Sequence, residues 1–342
     1  MKNWLLSFTI ISALWHANVG SAQADANAVA STTSTRDILA SNAGVAAHTD
    51  AVASHREGAA PCLRWSPAET APQAAILCVH GLGLHNGSYT EFGKRMSKLG
   101  YVVYAVDMRG FGSYKDAQGR EQVDFDGCLA DIQATLKVLH RAHPTLPVYL
   151  LGESMGGAIV IHATAAFPDL VDGTVSSVPS GSRFKQSKSA ISVAMHALEG
   201  GLNKQFDVGS GVINQATEKP ELREAWGNDP LNRLNLSPRE LMIFQSFMDH
   251  NHNVAPLIKT TPVLVVQGCK DKLVKPEGTV QLFNELGTED RRIQLVQNGE
   301  HLIFEEGQAS DAALDSLTNW LELHTLAFQQ SHSHGGSAEL KQ

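Results

Sequence analysis

The chain has 342 residues, 43% of them hydrophobic and 18% charged, with a formal net charge of −8. That length admits one large α/β core with an insertion, and the hydrophobic share suits a globular protein. An acidic balance with no Lys/Arg run excludes a nucleic-acid-binding surface and gives no electrostatic attraction to anionic lipid.

The first 24 residues have the form of an export signal. Lys2 supplies a positive start, and a mostly apolar run from Trp4 to Trp15 follows. Gly20-Ser21-Ala22 and Ala22-Gln23-Ala24 offer small residues for a signal peptidase. The run is too short for a transmembrane span, so a periplasmic or secreted location is expected. Residues 25–60, rich in Ala, Ser, Thr and Asn, are expected to be a flexible linker.

From residue 75 onward short apolar runs alternate with helical patterns. Strands are predicted at Ala75–Val79, Tyr101–Val106, Val148–Leu151, Gly173–Val178, Pro262–Gln267 and Ile293–Val296. Their near-continuous Val, Ile and Leu content suits a parallel sheet buried on both faces. Helices are predicted near Tyr89–Leu99, Asp126–His143, Ser154–Phe167, Pro276–Leu286 and Ser310–Phe328. The interval 179–259 breaks this alternation with helix-like pieces only. It contains a capping box at Ser237-Pro238-Arg239-Glu240 and two apolar stripes, Ile191/Met195/Leu198 and Phe244/Phe247/Met248. It is expected to be a helical cap whose stripes form an apolar entrance. The core is thereby divided into 61–178 and 260–328, and residues 329–342 are expected to be a disordered tail. His332 and His334 in that tail are read as solvated, and no metal site is expected. Cys62, Cys78, Cys128 and Cys269 match no zinc spacing. Three disulfide connectivities are open if all four pair, although Cys78 equally suits a buried thiol inside a strand.

Chemistry enters at Gly152-Glu153-Ser154-Met155-Gly156, directly after the apolar run Val148–Leu151 and before a helical stretch. A serine hydroxyl is a weak nucleophile and must be presented to a base in fixed geometry. A sharp strand-to-helix turn flanked by small residues does this, and it is the nucleophile elbow of the α/β-hydrolase fold. In that fold the acid and the histidine follow the serine. Asp271 lies in the loop after the strand ending at Gln267, and His301 in the loop after the next strand. Loops at the carboxyl ends of parallel strands collect catalytic groups. His80-Gly81-Leu82-Gly83 follows the strand ending at Val79. Its glycines let backbone N–H groups approach a substrate oxygen, so Leu82 and Met155 are the candidate oxyanion donors. His80 is expected to brace this loop, and Glu153 to have no catalytic role.

Four motifs in order resemble the monoglyceride lipase and lysophospholipase group of α/β-hydrolases. They are the loop from His80 to Tyr89, the turn Asp107-Met108-Arg109-Gly110-Phe111-Gly112, the elbow Gly152–Gly157, and Gly268-Cys269-Lys270-Asp271. The resemblance spans about residues 60–328. It implies a Ser154–Asp271–His301 triad, oxyanion donors at Leu82 and Met155, and a cap that admits a single acyl chain. The chain departs from the group at Leu84, Ser88 and Phe111, where glutamate, arginine and histidine are usual.

The expected activity is therefore hydrolysis of small-molecule acyl esters by acyl transfer, with no cofactor. A serine aminopeptidase or proline-iminopeptidase-like activity would use the same triad with cap acids, for which Glu218, Glu221 and Glu224 are available, to hold a free N-terminus. A non-catalytic binding protein on a hydrolase fold is the third reading.

Overall fold

The computed structural model describes residues 60–184 and 186–335, with side chains left out at 185–191 and 334–335. The signal-like segment and nearly all of the linker lie outside the described residues, as does the end of the tail.

A seven-stranded sheet forms the centre, in the order β1-β3-β2-β4-β5-β8-β9. Its strands are β1 (Cys62–Trp65), β2 (Ala74–Val79), β3 (Tyr101–Val106), β4 (Val148–Glu153), β5 (Gly173–Ser177), β8 (Val263–Gly268) and β9 (Arg291–Val296). All neighbours pair in parallel except β1, which runs antiparallel to β3 with Cys62 opposite Val106. The six predicted strands are present. β1 was not expected, because a four-residue edge strand carries too few apolar positions to stand out.

Side chains alternate between two cores, as the period of a strand requires. On one face Leu77, Val79 and Leu150 pack against α2 (Phe125–Ala142) and α3 (Met155–Ala166) through Ile132, Leu136 and Ile159. On the other, Ile76, Cys78 and Leu151 meet Phe92 and Met96 of α1 (Thr90–Lys98) and Leu317, Trp320 and Leu321 of α10 (Asp311–Gly335). The tail expectation is corrected here. The last helix continues past 328 to Gly335, with Ser331 Oγ and His332 Nδ1 both engaging the Phe328 carbonyl.

Between β5 and β8 the chain forms α4 (Gln186–Gly200), α5 (Gly209–Ala216), α6 (Pro220–Asn228), α7 (Pro238–Asp249) and α8 (Asn251–Val254). A two-stranded antiparallel ribbon, β6 (Phe206–Asp207) with β7 (Asn235–Leu236), was not foreseen; two residues per strand leave no periodicity to read. The capping box at Ser237 forms as expected, with its side chain accepting from the Glu240 N–H and the Glu240 carboxylate accepting from the Ser237 N–H. The final part of the interval belongs to the core. Ala255 and Ile258 are buried with Ile161, Val263 and Leu282. The helix α9 (Pro276–Glu285) then covers the β8–β9 side of the sheet.

Candidate active site

The elbow owes its shape to backbone contact. Ser154 sits at φ 55°, ψ −113°, a conformation that a non-glycine residue holds only when its surroundings enforce it. A Cβ at Gly152 would lie 2.1 Å from the Gly156 carbonyl oxygen, and one at Gly156 would lie 1.9 Å from that of Val79. Both glycines of the pentapeptide are therefore fixed by close backbone approach. The Ser154 N–H donates to the Ser177 carbonyl at 2.9 Å, tying the turn to β5.

β8 and β9 bring the other two residues to the serine. Gly268 is paired with Val296, and a Cβ there would lie 2.2 Å from the Glu300 carbonyl oxygen, so the two carboxyl-end loops lie against one another. His301 Nδ1 donates to Asp271 Oδ2 at 2.9 Å, and His301 Nε2 accepts from Ser154 Oγ at 3.0 Å. Asp271 Oδ1 accepts from the N–H groups of Leu273 and Val274 at 2.7 and 2.9 Å. Burial pushes the Asp271 carboxyl up, but the His301 contact and these N–H donors outweigh it, and the group lies below its ordinary value. Burial lowers His301, and the attraction and hydrogen bond of Asp271 more than reverse this, leaving the imidazole above 6.5. All three sequence candidates thus meet in one hydrogen-bonded chain with the tautomer a general base requires.

Beside the serine, the N–H groups of Leu82 and Met155 have no hydrogen-bond partner among the described residues. His80 braces their loop. Its Nε2 accepts from the Met108 N–H at 3.0 Å and its Nδ1 donates to the Gly81 carbonyl at 2.8 Å. Burial holds it near 4, neutral. Phe111, where the resemblance expects histidine, meets His80 edge-on at 5.8 Å. The same loop is stitched to the cap. His85 Nε2 lies 3.1 Å from Asp229 Oδ2, and the Arg233 N–H donates to the Gly83 carbonyl at 2.8 Å.

Sequence reasoning missed two residues. Glu153 is fully buried, and its carboxylate accepts from Ser177 Oγ and from the N–H groups of Ile303, Phe304 and Glu305 at 2.7–3.1 Å. It holds the loop that carries His301. Glu305, also buried, accepts from the Gly81 N–H at 3.1 Å and shares a 2.6 Å hydrogen bond with Ser88 Oγ, whose hydroxyl also reaches the His85 carbonyl at 2.8 Å, and so holds the loop that carries Leu82. Burial pushes both carboxyls up. Glu305, facing the Glu153 charge as well, is pushed well above its ordinary value and is the neutral member. The only sequence signal was a charged residue inside the apolar surroundings of the elbow. The Ser88 hydroxyl, at a position where arginine is usual, is the partner Glu305 uses.

A pocket opens over Ser154 and His301, walled by Val212 and Ile213 of α5, Trp226 of α6, Leu234, and Phe244 and Met248 of α7. The expected stripe on α4 takes no part. Met195 and Leu198 are 51% and 85% exposed, and the Ile191 side chain lies outside the described residues. Phe247 stacks between Phe125 and His162, away from the pocket. An amphipathic stripe identifies the buried face of a helix but not what lies opposite it, and α4 turns Met195 and Leu198 outward. Glu218, Glu221 and Glu224 are exposed, and Glu218 pairs with Lys272. None of the three lines the pocket. The four cysteines are free thiols. Among the described residues there is no cluster of metal-ligating side chains and no helix long and apolar enough to cross a membrane.

This sheet order, with a serine elbow after β4, defines an α/β-hydrolase built as a serine hydrolase. Residues 70–308 match the family described as serine aminopeptidase, S33, and the chain belongs to it. It is 28% identical to a monoacylglycerol lipase of Mycolicibacterium smegmatis over 76% of this chain and 91% of that one. It is 26% identical to the monoglyceride lipase of Rattus norvegicus, over 78% and 87% respectively. The crystal structure of the Paleococcus ferrophilus monoacylglycerol lipase superposes with a TM-score of 0.64 at 25% identity, covering 77% of this chain and 98% of that one.

Because His301 must be neutral to accept the serine proton, kcat/KM should rise with pH along an acid limb whose midpoint lies above 6.5. A pH–rate profile with a stable ester measures it. Glu305→Gln should keep most of the activity, since a neutral amide replaces a neutral acid, whereas Glu305→Ala should lower kcat about tenfold or more by releasing Gly81. The folded-state shift is upward, so the wild type loses stability as pH rises above about 4.5. The stability of Glu305→Gln relative to wild type should therefore grow with pH above that value, read by urea denaturation.

Proposed function

We propose that this protein is an exported hydrolase of carboxylic esters with an apolar acyl arm, acting through Ser154, His301 and Asp271. The observation that carries the reading is the continuous Ser154–His301–Asp271 hydrogen-bond chain, 3.0 and 2.9 Å long in its two links, opening into an apolar pocket. His301 Nε2 takes the hydroxyl proton as Ser154 Oγ attacks the ester carbonyl. The developing oxyanion turns towards the Leu82 and Met155 N–H groups. Asp271 stabilises the imidazolium, which then protonates the leaving alcohol. Water, deprotonated by His301, opens the acyl-enzyme in the second half-reaction.

Relatives named for monoacylglycerol and monoglyceride hydrolysis support ester over amide substrates. The pocket supports the same choice. A free peptide N-terminus calls for a carboxylate, and the described residues lining the pocket include two arginines and no acid.

Ser154→Ala should lower kcat on the order of a thousandfold or more and abolish labelling by a fluorophosphonate, with the fold intact by circular dichroism. On a series of p-nitrophenyl esters, kcat/KM should rise about fourfold per methylene up to the pocket's limit, following about 0.8 kcal/mol for each buried CH₂. Ile213→Asp or Phe244→Asp should cost the longer esters most, and a flat series in the wild type would exclude an acyl-binding role for the pocket. The proposed export rests on the amino-terminal pattern. N-terminal sequencing of extracellular or periplasmic material should find a mature chain beginning near Gln23 or Asp25.

A further inference from the structure

One wall of the pocket carries a cation, Arg183, with no salt-bridge partner among the described residues. Arg183 follows β5 and is held by its backbone against the loop of the triad acid. It bridges to Val274, the flanking Phe184 N–H donates to the Leu273 carbonyl at 3.0 Å, and the Lys275 N–H donates to the Ser182 carbonyl at 2.9 Å. Its side chain lines the same pocket as Ser154 and His301, with the guanidinium 5.4 Å from the centre of the Phe244 ring. One Nη donates to Gln245 Oε1, while Nε is buried without a hydrogen-bond partner among the described residues.

Other arginines around the site have carboxylates. Arg109 is paired with Asp131 at 2.9 Å, and Arg233, the second arginine of the pocket, is paired with Glu240 at 2.7 Å. No carboxylate of the described residues lies within 4.0 Å of Arg183. Asp249 stands behind Gln245, whose amide nitrogen donates to it at 2.7 Å, so an amide separates the two charges. Residues 185–191, which come next, include no acid. A guanidinium withdrawn from water and left without a counter-charge is costly. Burial accordingly lowers its proton affinity, with Asp249 opposing only from a distance.

We propose that Arg183 is a specificity determinant that binds an oxyanion carried by the substrate, a carboxylate or a phosphate, beside the ester to be cleaved. The inference rests on the ester-hydrolase reading and narrows its substrate class from acyl esters to anionic acyl esters. The planar fork of arginine suits a carboxylate or phosphate in two-point contact. Phe244, under the guanidinium, leaves the apolar part of the substrate against the rest of the wall.

Two matched pairs test this. p-Nitrophenyl hydrogen adipate against p-nitrophenyl hexanoate reads a carboxylate on the acyl arm. A 1-acylglycerol 3-phosphate against the 1-acylglycerol of the same chain reads a phosphate on the alcohol. The readout is the ratio of kcat/KM for the anionic over the neutral member, which does not depend on how much of a variant is folded. The wild type should favour the anionic member of at least one pair tenfold or more. Arg183→Met should lower that ratio at least tenfold, and Arg183→Lys should retain part of it. A wild type that favours the neutral ester in both pairs, or an Arg183→Met ratio equal to the wild type's, overturns the proposal. Failure of the ester reading shows separately, as loss of hydrolysis of every ester and of fluorophosphonate labelling. Calorimetric binding of monomethyl adipate to Ser154→Ala, with and without Arg183→Met, then decides the role of Arg183: equal affinity overturns it, and weaker binding to the double variant supports it.

Discussion

The site depends on a single buried carboxylate, that of Glu153. It sits one residue before the nucleophile, at the end of β4, where no water reaches it. A charge placed there must be met by donors, and the donors are consecutive backbone N–H groups of the loop that follows His301. The histidine and the serine come from segments 147 residues apart in sequence. A backbone loop is soft, and a general base has to be held to within a fraction of an ångström for proton transfer. Glu153 converts that loop into a fixed extension of the elbow. Glu305, leaving the same loop, carries the constraint on to Gly81, so three segments share one buried polar network.

Such a network can be satisfied only as a whole. Two carboxyl groups in one dry space cannot both ionise, and the donors divide them unequally. Glu153 has three main-chain donors and the Ser177 hydroxyl, whereas Glu305 has the Gly81 N–H and the Ser88 hydroxyl. The exchange of a long cation for Ser88, relative to the resemblance, fits this arrangement. A short hydroxyl fills the space beside a neutral acid where a guanidinium would demand an ionised one.

Much of this was legible in the sequence, for identifiable reasons. Buried parallel strands are written as uninterrupted Val, Ile and Leu, and the elbow glycines are imposed by contacts no other residue allows, so strands and elbow could be read directly. Asp271 and His301 followed from strand order, since each occupies a loop at a carboxyl edge. The positioning role of Glu153 was not legible because its partners are mainly backbone N–H groups, which have no sequence signature. The cap was legible as an insertion but not in its orientation. The α4 and α7 stripes are both helical in period, and only packing decides that Met195 faces water while Phe244 lines the pocket over the serine. Arg183 was invisible for a similar reason, as its significance lies in which acids are absent around it in space.

The stitching of residues 229–233 to the loop after β2 has a consequence for how a substrate reaches the serine. His85 with Asp229, and the Gly83 carbonyl with Arg233, tie the ceiling of the pocket to the strip of backbone that carries Leu82, the proposed oxyanion donor. A cap that swung away here as a door would tear its own oxyanion strip out of position, and closing would have to rebuild it at each turnover. One edge of the pocket is thus fixed to the loop that follows β2, and whatever motion admits a substrate has to leave that seam closed.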